Sequence, residues 1–232
     1  MHLDDDTVLS AGSFEACLRA AGSAILAVDE VMSGKAKNAF VAIRPAGHHA
    51  EAYCYGVLSF QHAAIAARYA QRCYGAERVA IVDFDAHHGN GSQQIFWSDR
   101  TVMYCSTHEM PLFPGTGAMS ERGEYDNMVN APLRAGDWGE TFREALDIAI
   151  LPRLQKFAPD LIVISAGFDA HRLDPLANLN LSEADFGWAT RKIMEIADLR
   201  SAGKVISVLE GGYALQSLAR SVAAHVTALM ES

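Results

Sequence analysis

The run Asp83-Phe84-Asp85-Ala86-His87-His88-Gly89-Asn90-Gly91 carries side chains spaced for metal chemistry. Asp85 and His87 lie two residues apart. On extended backbone their side chains point the same way, offering one oxygen and one nitrogen to a divalent ion. Asp83 is one step back on that face, placed to support the ligands from behind. The glycines allow a sharp turn. The plain alternative is that aspartates often end strands in α/β proteins. A second run, Ser165-Ala166-Gly167-Phe168-Asp169-Ala170-His171, follows another apolar stretch, and Asp169 could complete a three-ligand site. Two carboxylates and one imidazole leave positions open for water and substrate, the pattern of a catalytic zinc. His171 reads equally well as an ordinary polar or packing residue.

Two further runs hold groups for proton transfer and charge stabilisation. In Arg44-Pro45-Ala46-Gly47-His48-His49-Ala50-Glu51, the adjacent histidines can act as an acid and base pair if each has its own carboxylate or amide partner. Alone, such a pair is as readily a loop. In Glu210-Gly211-Gly212-Tyr213 the glycines permit close backbone approach, and the phenol could donate to a developing oxyanion. A lone Gly-Gly-Tyr is otherwise a turn.

The elements that must position these groups follow from hydrophobic patterning. Residues 40–44, 79–84, 102–106, 161–166 and 205–209 are short apolar runs without strict alternation, as in strands buried on both faces. Between them lie amphipathic stretches at 13–33, 59–74, 140–157, 182–203 and 215–230. Pro152 marks a kink in the third or the start of its final turn. Ser182 with Asp185 resembles a capping box, and Gly203 closes that helix. Alternating strands and helices predict right-handed crossovers and an α/β three-layer sandwich, a mostly parallel sheet with helices on both faces. All four motifs then fall at the carboxyl ends of strands, where such sheets bind ligands.

The chain has 232 residues, 50% hydrophobic and 20% charged, enough for one substantial core over 1–232. A net charge of −9 without a basic stripe gives no support to direct nucleic-acid binding. Four cysteines, none in a CxxC pair, suggest reduced thiols and no disulfide framework. No signal peptide or membrane-length apolar run is visible, so the expected location is the cytoplasm. A homo-oligomer is compatible with all of this.

Taken together, these four motifs resemble the histone deacetylase family, within the arginase/deacetylase fold. The Glu-Gly-Gly-Tyr ending and Asn90 are similar to the class II branch and its bacterial relatives, which include acetylpolyamine amidohydrolases. The resemblance implies that Asp85, His87 and Asp169 hold Zn²⁺, in a site that Fe²⁺ or Co²⁺ could also occupy. It implies His49 as general base and then general acid, assisted by His48, with Asp83 paired to His48 and Asn90 to His49. Tyr213 would stabilise the tetrahedral intermediate. Asp83, Asp85, His87 and Ser106 match positions that help enclose a structural K⁺. Phe113 matches one aromatic wall of the acyl-lysine tunnel. The implied substrates are acetyl-lysine side chains or acetylated polyamines.

Two departures from the family pattern stand out. The family domain normally has a further segment before the position of Leu3, so the chain reads as N-terminally shortened, with an exposed sheet edge. After Glu51, the expected glycine, aromatic, cysteine and Phe-Asn-Asn are replaced by Tyr55-Gly56-Val57-Leu58-Ser59-Phe60-Gln61-His62. Gly56 and Val57 therefore line the tunnel where a second aromatic wall is expected. Codons for Tyr55 to Gln61 can be chosen so that a one-base shift restores a Phe-Cys-Leu-Phe reading, so a local frameshift competes with true divergence. Two rival readings remain at this stage. One is an impaired remnant of such an enzyme. The other is an arginase-type ureohydrolase with two manganese ions, which would need more bridging aspartates.

Overall fold

In the computed structural model, residues 9–52 and 60–231 are described. The chain runs through helix α1 (Ser13–Met32), strand β1 (Asn38–Val41), α2 (His62–Tyr74), β2 (Val79–Asp83), α3 (Asn90–Phe96), β3 (Val102–Glu109), β4 (Met128–Leu133) and α4 (Gly139–Ala145). A π-helical turn (Leu146–Ile150) leads into α5 (Leu151–Phe157). It continues through β5 (Leu161–Ala166), α6 (Glu183–Arg200), β6 (Val205–Leu209) and α7 (Leu215–Met230).

All six strands are parallel, in the order β1-β6-β5-β2-β3-β4. The alternation within each buried strand divides the core into two layers. Ala80 and Val82 of β2, with Ile162 and Ile164 of β5, face a cluster that includes Phe142 of α4, Leu154 of α5 and Ile193 of α6. Val79, Ile81, Leu161 and Val163 face the opposite cluster, with Val28 of α1, Ala67 of α2 and Phe96 of α3. This is the sandwich expected from strands apolar on both faces. The chain starts outward from β2 through β3 to β4, then returns to β5 on the other side of β2. The reversal opens a crevice between the ends of β2 and β5, where ligands bind in this architecture.

Several boundaries differ from the sequence reading for identifiable reasons. The stretch 140–157 is interrupted by the π-helical turn just before Pro152, which stands at the second position of α5. Proline has no N–H to donate, and the wider turn accommodates its ring where a regular α-turn would clash. β4 and α3 were not foreseen. β4 contains Asn130 and Pro132, poor strand formers, and Pro132 is tolerated because β4 is an edge strand. α3 is too short to show a helical period. At α6, the Ser182 N–H and hydroxyl both donate to the Asp185 carboxylate (2.8 and 2.7 Å), as the capping pattern predicts. Cys73 and Cys105 are free thiols. Among the described residues no helix is long and apolar enough to cross a membrane.

Candidate functional site

The sheet places the chemistry-bearing residues at one end. β2 delivers Asp83, Asp85 and His87; β5 delivers Asp169; β6 delivers Glu210 and Tyr213; and the chain after β1 delivers His48 and His49. Asp85, His87 and Asp169 converge so that one ligand atom from each lies within 4.8 Å of the others. His87 Nδ1 is 2.8 Å from Asp169 Oδ2 and 3.3 Å from Asp85 Oδ1. Asp85 and Asp169 are sealed from solvent.

Two buried carboxylates in one space require a positive charge among them. Burial works against protonation of His87, but its hydrogen bonds to Asp169 and Asp85 outweigh this and push it up to about 10. Asp169 is pushed up to about 7 by burial and by the Asp85 charge. A divalent cation would satisfy the same demand with stronger charge, and this oxygen-rich, single-imidazole donor set fits one. Two glycines make room for the cluster. A Cβ on Gly167 would collide with the Asp85 carboxylate, and one on Gly211 would come 2.5 Å from Asp169 Oδ2.

The two histidines are held differently. His48 Nδ1 lies 3.0 Å from Asp83 Oδ2, and its Nε2 lies 3.8 Å from Asp85 Oδ1. Burial would lower its pKa, yet the charges of Asp85, Asp83 and Glu210 raise it well above the usual histidine range. His49 Nδ1 lies 2.8 Å from Asn90 Oδ1. Burial and the neighbouring His48 charge lower His49 to about 3. His48 is thereby held as the cation and His49 as the neutral ring. An amide oxygen can only accept, so His49 donates from Nδ1 and keeps its lone pair on Nε2. Its ring centroid is 6.2 Å from that of His87.

Phe113 stands edge-on to His49 at 5.1 Å between centroids and is 61% exposed, at the rim of the site. Tyr213 is 45% exposed, with the Arg44 guanidinium over its ring. Its proton is held on by burial and by the Asp85 and Asp169 carboxylates. Ser106 is the register partner of Asp83, and its hydroxyl lies 2.9 Å from His108 Nδ1. His171 packs away from this cluster, its Nε2 3.5 Å from Glu183. Gly56 and Val57 lie outside the described residues.

Other supporting residues became visible only in three dimensions. Glu210 Oε2 accepts from the backbone N–H groups of Gly47 (2.8 Å) and His48 (3.1 Å), fixing the His-His loop. The Tyr104 hydroxyl donates to Asp83 Oδ2 at 3.1 Å. A tyrosine inside an aliphatic strand was the one local signal for it, because a buried phenol needs a partner. Asp174 Oδ2 accepts from the N–H groups of Tyr213 and Ala214 (2.7 and 3.2 Å), and the Arg44 guanidinium donates to the Gly212 carbonyl (2.9 Å). Nothing in the local sequence around Asp174 or Arg44 signals that role.

Known proteins resemble this chain in sequence and in fold. The model of the histone deacetylase domain matches residues 1–229. Histone deacetylase 10, chloroplastic, from Oryza sativa subsp. japonica is 41% identical over 91% of this chain and 50% of its own length. A histone deacetylase-like amidohydrolase of Pseudomonas aeruginosa is 37% identical over 91% of this chain and 57% of its own. The crystal structure of the HDA15 HD domain superposes with a TM-score of 0.93 at 36% identity, over 100% of this chain and 67% of that one. The chain thus spans little more than half the length of these two curated relatives.

Proposed function

The chain belongs to the histone deacetylase family, and on that premise we propose that it is a zinc-dependent amidohydrolase removing acetyl groups from acetyl-lysine side chains, with acetylated polyamines as the second substrate class. The carrying observation is the convergence of Asp85, His87 and Asp169 beside a neutral His49 whose Nδ1–H is committed to Asn90.

Asp85, His87 and Asp169 would hold the metal. When bound, it supplies Lewis acidity that polarises an amide carbonyl and lowers the pKa of a water. His49 Nε2 accepts the proton of the attacking water and returns it to the leaving amine. Asn90 keeps that nitrogen available by holding the other. His48, charged against Asp83, stabilises negative charge that develops nearby. The Tyr213 hydroxyl donates to the carbonyl oxygen as it becomes an oxyanion. Phe113 flanks the acyl-amine stem. The structural K⁺ that the resemblance implies near Asp83, Asp85, His87 and Ser106 would find oxygen donors in Asp83 and Ser106, which are register partners on β2 and β3.

The test is hydrolysis of a fluorogenic acetyl-lysine substrate by the zinc-loaded chain, with Asp169→Ala alongside. Turnover lost in the variant supports the proposal. A folded, metal-bound chain without turnover on acetyl-lysine or acetylpolyamine favours the impaired remnant, the reading motivated by Gly56 and Val57. Two metals per chain would favour the arginase type instead.

A further inference from the structure

Behind His49 the hydrogen-bond chain extends one member further than the family resemblance led us to expect. Asn90 Oδ1 faces His49 Nδ1 at 2.8 Å, while Asn90 Nδ2 donates to Glu51 Oε1 at 2.7 Å. A carboxylate can only accept, so the Asn90 amide must turn its NH₂ toward Glu51 and its oxygen toward His49. Without Glu51, a simple flip of that amide would present a donor to His49 instead. The imidazole would then have to move its proton to Nε2, the nitrogen that must stay free.

Glu51 is itself braced. Gln94, one helical turn after Asn90 on α3, donates from Nε2 to Glu51 Oε2 at 2.9 Å, and its Oε1 accepts from the Ala52 N–H at 3.0 Å. The segment carrying His48 to Ala52 is docked on the start of α3. The N–H groups of Gly91 and Ser92 donate to the His48 carbonyl at 3.0 and 3.3 Å. Asn90 and Glu51 also line a cavity of about 260 Å³ with Gln93, Gln94, Trp97 and Thr116.

We infer that Glu51 is a positioning residue that locks the Asn90 amide in the one orientation that holds His49 as the Nδ1–H tautomer. This rests on the reading of His49 as the proton-transfer group. The sequence Gly-His-His-Ala-Glu and the later Asn-Gly then have a single physical explanation: the glutamate, two residues past His49, reaches the amide that orients it.

The experiment combines kinetics with ¹⁵N NMR of histidine-labelled, zinc-loaded chain. Glu51→Ala is expected to lower kcat roughly 10- to 100-fold, as loss of an orienting partner does, with KM within about twofold. Its His49 signals should change from a single Nδ1–H tautomer to a mixture. Asn90→Asp should also lower kcat, because it sets two carboxylates against each other. Adding Glu51→Gln to Asn90→Asp should restore much of the loss, since the glutamine NH₂ can donate to the new carboxylate while that carboxylate still accepts from His49. A merely structural Glu51 would give additive losses in the double variant. Unchanged tautomer and kcat in Glu51→Ala, or no rescue, overturns the inference. If the wild-type chain hydrolyses neither acetylated substrate, the functional reading fails, while the tautomer measurement still decides the role of Glu51.

Discussion

His48 and His49 are adjacent in the chain but are driven in opposite directions by their surroundings. His48 faces Asp83, Asp85 and the nearby Glu210, so it is held charged; His49 faces an amide and a charged neighbour, so it is held neutral. A group meant to accept a proton must start without one, and only His49 meets that condition. Tyr213 shows the complementary design, because burial and two carboxylates keep its phenol protonated and able to donate. Tyr213→Phe removes that donor and nothing else. It is expected to lower kcat by about 10²- to 10³-fold, with bound zinc unchanged by metal analysis. A variant that lost metal as well as rate would place Tyr213 in the metal cluster.

At the scale of elements, the joints between strand ends and helices do the positioning. Gly91, the second residue of α3, has the Ala50 backbone carbonyl pressed against it, and an added Cβ would overlap that carbonyl. Backbone cannot swing aside as a long side chain can. Gly91→Ala is therefore expected to push the His48–His49 segment off α3, abolishing turnover while Asp85, His87 and Asp169 still bind metal. Turnover by a stably folded Gly91→Ala chain would contradict this docking. On the other face, Asp185 caps α6 and also receives Arg143 of α4 at 2.7 Å. Removing it breaks the cap and leaves the half-exposed arginine with only the Trp188 ring beside it. Asp185→Ala should cost about 1–3 kcal/mol in denaturant unfolding, more than the roughly 1 kcal/mol typical of losing a cap residue at Ser182.

Across the whole molecule, buried neutral histidines set a dependence on pH. His225 of α7 bridges Thr190 of α6 (2.6 Å) and Ser207 of β6 (2.8 Å), ringed by Phe40, Phe84 and Phe168. Burial lowers it from 6.5 to about 3. The unfolded chain takes up a proton near pH 6.5 that the folded chain refuses until about 3. Stability is thus full above 6.5 and falls by about 1.4 kcal/mol per pH unit below it for each such group. His62 and His108, lowered to about 4 by burial, add to the slope over the same range. Asp169 and Glu210, both pushed up to about 7 by burial, work in the opposite sense between pH 7 and 4, so the contribution of His225 is read from the difference: His225→Gln should lose less unfolding free energy than the parent chain over that range. An unaltered slope in that variant would show that His225 titrates normally.

The amino-acid sequence by itself determined the parallel α/β class, because strands buried on both faces must be apolar throughout, and it marked Asp85, His87 and Asp169, because metal chemistry restricts the ligand types. The paired glycines, the capping aspartate and the bounds of β5, β6 and α7 were equally legible, since each reflects local backbone or burial demands. β4 escaped notice because its edge position tolerates Asn130 and Pro132. The family resemblance already implied the His48–Asp83 and His49–Asn90 pairs, and only the tertiary structure decided which distant groups hold them in place. Glu210 meets the Gly47 N–H across 163 residues, and Asp85 meets the Gly211 N–H across 126. Such pairings depend on strand order. Strand order is a property of how the two faces of the sheet are filled, and no local pattern encodes it.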